Sequence, residues 1–135
     1  ECNANNSDVI TFHTYEGEKL QETIDRLIKY KRPLICTEYM ARELGSTFEF
    51  SLPIFKKNNV GCFNWGLVAG KSQTHFGWST ILDIKKKKEA GDFIEAGEAI
   101  PEPDIWFHDI LRSDGTPYSE EEVTFIKNMT TTKTI

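Results

Sequence analysis

Several things are scarce in this sequence, and each scarcity narrows what the chain can do. No apolar run approaches the roughly 18–20 residues of a membrane-spanning helix. Basic residues are outnumbered, 16 Lys and Arg against 21 Asp and Glu, for a formal net charge of −5. That argues against nucleic acid, which needs a clustered positive field, and against a polybasic membrane anchor. The three cysteines (Cys2, Cys36, Cys62) are too few and too odd in number for a disulfide framework, and none forms a CxxC pair. The three histidines (His13, His75, His108) lack ligand spacing such as HExxH. With no GxGxxG and no P-loop either, no metal, nucleotide or other cofactor is expected.

What is present suits one globular domain. At 135 residues the chain is long enough for one core and too short for two. Residues 1–6 read as a connecting loop and 130–135 as a frayed tail. Residues 8–13 (DVITFH) are β-branched and aromatic, the signature of a strand. Glu16-Gly17-Glu18 makes a turn. Over residues 19–30, Leu20, Ile24, Leu27 and Ile28 form one helical stripe, with Pro33 as its stop. Residues 34–39 (LICTEY) predict a second strand. Ser46 and Glu49 fit a capping box opening a helix with Phe48, Leu52 and Phe55 on one face, where Pro53 forces a bend or a later start. Asn58-Asn59 closes it, and residues 60–65 predict a third strand.

That order, strand–helix–strand–helix–strand, argues for parallel strands joined by right-handed helical crossovers. Residues 67–79 read as a Gly-rich loop. Residues 80–103, with Lys85 to Lys88 and then an acidic stretch, read as a solvated excursion. Asp104 is expected to cap a helix through Arg112, Asp114-Gly115 to turn, and Ser119 with Glu122 to open a last helix with Val123, Ile126 and Met129 inward.

In parallel α/β architectures, chemistry gathers past the carboxyl ends of the strands. There the first strand offers His13 and Tyr15, and the second Glu38. The third offers Trp65, then a loop with Lys71, His75 and Trp78. Carboxylates beside aromatic platforms are how carbohydrate sites are built. If Glu38 points into the site, strand alternation puts Leu34 and Cys36 on its face. Gly61, Phe63 and Trp65 then face inward too, and Cys62 faces the other way from Cys36. On that register no Cys36–Cys62 disulfide is expected. Arg42 and Glu43 read as a solvated or intra-loop pair.

The stretches FHTYEG, PLICTEYMAR and GCFNWGLVAGK resemble the last three βα units of a glycoside hydrolase (β/α)8 barrel, and WFHDILRSDGTPYSEEEVTFI resembles the closing helix of such a barrel. The similarity is to the retaining clan that includes family 5 cellulases and mannanases, and to family 2-like enzymes. It covers residues 7 to about 79 and 103 to 127. The resemblance implies that Glu38 is the nucleophile and that Tyr15 orients it. It implies that His13 and Trp65 contact the sugar, with Trp78 and Lys71 as further candidates. The expected fold is the C-terminal part of a TIM barrel, incomplete as given: residues 7–79 the last three βα units, 80–103 the excursion, 104–129 the closing helices. The expected activity, in a longer chain, is retaining hydrolysis of β-linked polysaccharide or oligosaccharide. Secretion or a periplasmic place follows from family analogy alone.

The clan's acid/base, a second glutamate after an asparagine ending the fourth strand, has no counterpart: the sequence contains no Asn-Glu pair. The missing partner is the N-terminal strands, and the chain alone is expected to be inactive. Missing strands also imply exposed apolar residues such as Val9, Phe63 and Trp65. Two rivals stand: a non-catalytic carbohydrate-binding barrel, and a different α/β enzyme using Glu38 as a proton-transfer base.

Overall fold

A computed structural model describes residues 2–91 and 100–131. A helical turn, α1 (Cys2–Asn5), stands where a loop is expected. Then follow β1 (Ile10–His13), α2 (Leu20–Ile28), β2 (Leu34–Glu38), α3 (Phe48–Lys57), β3 (Gly61–Cys62), α4 (Trp78–Glu89) and α5 (Glu120–Thr130). The three strands form one parallel sheet in the order β1-β2-β3. The βαβαβ rhythm read from the sequence is thus the observed one.

One face of the sheet is covered. Ile10, Leu34 and Cys36 share a buried cluster with Leu20 and Ile24 of α2 and Phe48 and Phe55 of α3. Phe125 and Ile126 of α5 pack against it. Each fully buried Leu, Ile or Phe here contributes roughly 1.5–3 kcal/mol. The opposite face carries Val9, Thr11 and Phe63, and it is open among the described residues: Val9, Phe63 and Trp65 are 41–61% exposed.

The strand faces correct the expected register. Cys36 lies beside Cys62, not across the sheet from it. Both thiols are free nonetheless, and Cys36 Sγ donates to the Glu38 carbonyl at 3.3 Å. Burial pushes the Cys36 thiol up to about 12. Leu34 and Cys36 face the helices, so plain alternation would bury Glu38 among them. A register shift prevents this: Phe12 pairs with Cys36 but His13 pairs with Glu38, leaving Thr37 as the extra residue of a bulge.

Other expectations shift for identifiable reasons. The cap of α3 is Thr47, whose side chain accepts from Phe50 N, not Ser46. Ser46 is instead drawn into a two-way backbone bridge with Ala41 and buried, its hydroxyl 3.3 Å from Ser51 Oγ. Pro53 does not delay α3, which starts at Phe48; it lies inside the helix on an exposed face and leaves the Glu49 carbonyl without its intrahelical donor. The third strand stops at Cys62 rather than running to Trp65. Asn64 folds back there, its Nδ2 donating to Gly66 O at 2.5 Å. Gly66 (φ +89) has no room for a side chain: a Cβ would lie 2.6 Å from Asp109 Oδ1.

Residues 78–89 are helical, where loop and irregular excursion are expected, though no residue of α4 is buried. The acidic stretch over 92–99 and the tail over 132–135 lie outside the described residues. Thr130 ends α5 rather than fraying. Ser119 caps α5 through Glu122 N at 3.2 Å, as the capping box implies. No helix spans 104–112. Trp106, Phe107, His108 and Asp109 are four consecutive buried residues, which a one-faced helix cannot provide. Their backbones pair with loops instead: Phe107 N with His75 O, His108 N with Thr74 O, Leu111 N with Leu67 O.

Arg42 is neither solvated nor paired within its own loop. Its guanidinium donates to both oxygens of Glu122 and to the carbonyls of Trp106 and Asp109, all at 2.5–3.0 Å. Both side chains of the pair are only 7% exposed. Removing one partner of such a pair strands a buried charge. Arg42→Met is expected to destabilise the fold by roughly 3–5 kcal/mol, and Arg42→Met/Glu122→Leu by less. Urea unfolding reads both; equal losses would mean that the stranded charge is not the cause.

Candidate active site

The bulge at Thr37 sets Glu38 at the carboxyl end of the middle strand, opposite His13 on the neighbouring strand. Its side chain is 22% exposed, dry enough to strengthen polar contacts and open enough for a ligand. Tyr15 Oη donates to Glu38 Oε2 at 2.5 Å. His13 Nδ1 lies 3.7 Å from the same oxygen. Among the described residues Oε1 has no hydrogen-bond partner, so one carboxylate oxygen is held and the other is available.

Burial, then the hydrogen bond to Glu38, pushes the Tyr15 phenol far above its usual value. It therefore stays a protonated donor at any ordinary pH. Trp78 packs edge-on to the Tyr15 ring at 5.9 Å. A groove of about 340 Å³ beside them is bordered by His13, Tyr15, Lys19, Thr23, Leu44 and Trp78.

Four of the six residues singled out from the sequence thus converge: Glu38, Tyr15, His13 and Trp78. Trp65 and Lys71 do not join them. Both are exposed in the segment after β3 and share none of the cluster's hydrogen bonds or ring contacts among the described residues.

Three supporting residues have little sequence signal. His108 backs the Tyr15 ring at 5.6 Å, its Nδ1 donating to Met40 O at 2.6 Å. Burial holds His108 below the usual imidazole range, so it is a neutral prop rather than a charge. Asp109 is fully buried and accepts from Thr74 Oγ1 at 2.9–3.0 Å, with His75 Nδ1 3.8 Å away. Arg42 ties the loop after β2 to the segment carrying both.

A larger cavity, about 380 Å³, lies by His75, Glu102, Trp106 and Arg112. Arg112 pairs there with Glu102 at 3.1 Å, and Trp106 Nε1 donates to Glu102 at 2.8 Å, while the buried His75 Nδ1 has no hydrogen-bond partner among the described residues. No group of three or more His, Cys, Asp or Glu among the described residues could hold a metal ion.

The negative charge of Glu38 disfavours the tyrosinate. Glu38→Gln is therefore expected to bring the Tyr15 pKa down toward the phenol's ordinary value, about 10. Carbon-13 NMR of the labelled tyrosine ring through an alkaline titration measures it; an unmoved Tyr15 would mean that Glu38 does not set its protonation. Comparison with family models, with curated proteins and with solved structures finds no match for this chain.

Proposed function

We propose that this chain is the C-terminal part of a retaining β-glycosidase barrel, with Glu38 as the nucleophile. The observation that carries the reading is the Glu38 carboxylate itself. It ends a parallel strand, is turned out of the core by a bulge, and has one oxygen held by Tyr15 while the other has no hydrogen-bond partner among the described residues. A lone structural carboxylate needs no such arrangement.

In this reading Glu38 Oε1 attacks the anomeric carbon, and the bond to the leaving oxygen breaks. A carboxylic acid outside this chain protonates that oxygen. The same group then takes a proton from water, which displaces Glu38 and restores it. Tyr15 fixes the carboxylate plane throughout, so the attack geometry is set before substrate arrives. His13 reaches a sugar hydroxyl, and Trp78 offers its half-exposed ring as a wall for sugar C–H faces. Trp65 and Lys71 serve as more distant contacts. The open sheet face fits the inside of a barrel whose earlier strands are not in this chain. The substrate is a β-linked glucan, mannan or xylan-like sugar.

The test uses the intact protein that carries this chain, with a panel of nitrophenyl β-glucoside, β-mannoside, β-xyloside and β-cellobioside. Glu38→Gln is expected to lower kcat by about a thousandfold or more, the scale of losing an activated nucleophile, while sugar binding survives. Near-normal turnover would remove Glu38 from that role. The 135-residue chain alone is expected to cleave none of the panel, and robust hydrolysis by it would contradict the barrel reading.

A further inference from the structure

The loop after β2 makes a second long-range contact that the proposed chemistry does not use. α4 begins at Gly77, an N-cap with no side chain and no side-chain cap hydrogen bond. The free N–H groups of a helix's first turn need acceptors and favour negative charge. Here the Glu43 carboxylate, from a distant part of the chain, brings a negative charge to that helix start. Its Oε1 accepts from Ser79 Oγ at 2.5 Å, across 36 residues. A Cβ built on Gly77 would lie 2.1 Å from Glu43 Oε1 and 2.3 Å from its Cδ. The Glu43 carboxylate therefore occupies the space that the cap residue's own side chain would take. Gly77 has an ordinary extended backbone (φ −85, ψ 175), so what glycine provides here is room.

No residue of α4 is buried, and Trp78, Ile81 and Leu82 are each at least half exposed. Yet Trp78, lodged between Gly77 and Ser79, reaches Tyr15 and also packs on Phe107 at 5.5 Å. Tyr15 is the donor to Glu38. Glu43 itself stands on the short turn Arg42–Leu44, beside the buried Arg42, so its own base is fixed.

We propose that Glu43 is a positioning residue: it caps α4 from the loop after the Glu38 strand and thereby holds Trp78 against Tyr15 as one wall of the groove. Only the kinetic part of the test rests on the glycosidase reading. The carboxylate and the missing Gly77 side chain act as one unit, so a cap supplied by the helix itself should substitute for Glu43.

The intact protein carrying this chain is labelled with 5-fluorotryptophan, and the Trp78 fluorine signal is assigned by Trp78→Phe. Glu43→Ala is expected to move that signal toward the solvent-exposed position. It should also speed amide exchange over residues 78–84 by about fivefold, the scale of a carboxylate at a helix N-terminus, with α2 unchanged. Glu43→Ala/Gly77→Asp, which restores a local cap, is expected to reverse both. An unmoved Trp78 signal, unchanged exchange, or equal loosening of α2 overturns the proposal.

In turnover of the nitrophenyl glycosides, Glu43→Ala should raise KM about fivefold and leave kcat within about twofold. A fall in kcat at constant KM overturns the positioning role. A wild type without turnover removes the glycosidase reading instead, and the fluorine and exchange measurements still decide Glu43.

Discussion

The Arg42 guanidinium is the group on which the arrangement at the strand ends depends. It is always charged and nearly out of water, so each of its donors needs an acceptor. The acceptors come from far along the chain: the Glu122 carboxylate in the first turn of α5, and the carbonyls of Trp106 and Asp109. Satisfying one side chain therefore fixes three segments relative to one another. Arg42 N also donates to Phe107 O, which repeats the constraint in the backbone. The loop after β2, the start of α5 and residues 106–109 are thereby tied together. His108 then backs Tyr15, and Phe107 backs Trp78.

The second constraint is local. A parallel strand covered by helices on one face sends alternate residues into the core. Leu34 and Cys36 obey this, and Glu38 would follow them without the extra residue at Thr37. The bulge turns Glu38 out beside His13 at the cost of one ladder position. The fold and the site are therefore linked through a single irregularity. The same residues that bury Cys36 determine where the carboxylate emerges. Tyr15 then fixes its orientation, and the phenol's burial keeps it a donor.

The sequence was legible where periodicity and punctuation agree. The stripe Leu20–Ile24–Leu27 with Pro33 behind it marked α2, and Ser119 with Glu122 marked α5. Strand ends were legible because β-branched runs stop at polar residues, here His13 and Glu38. Registers were not, because a bulge leaves no mark in the residues that form it, and alternation alone assigned Cys36 and Cys62 to opposite faces. The helix expected over residues 104–112 failed for a different reason. Ile105, His108 and Leu111 have helical spacing, but the segment is held by backbone pairing with Leu67, Thr74 and His75, which are far away in sequence. Arg42 read as a surface charge because its partner lies 80 residues on. Trp65 and Lys71 stand apart because the strand before them ends at Cys62, three residues before Trp65.

The claim most exposed to test is that Glu38 forms a covalent bond to sugar. A 2-deoxy-2-fluoro β-glycosyl fluoride lets the first displacement occur and slows the second, so the intermediate accumulates. The intact protein would be treated with the gluco, manno and xylo forms, digested, and mapped by mass spectrometry. One glycosyl group is expected, attached to Glu38 in the peptide containing LICTEY. A label on another carboxylate, or none in a protein that still turns over these sugars, would contradict it.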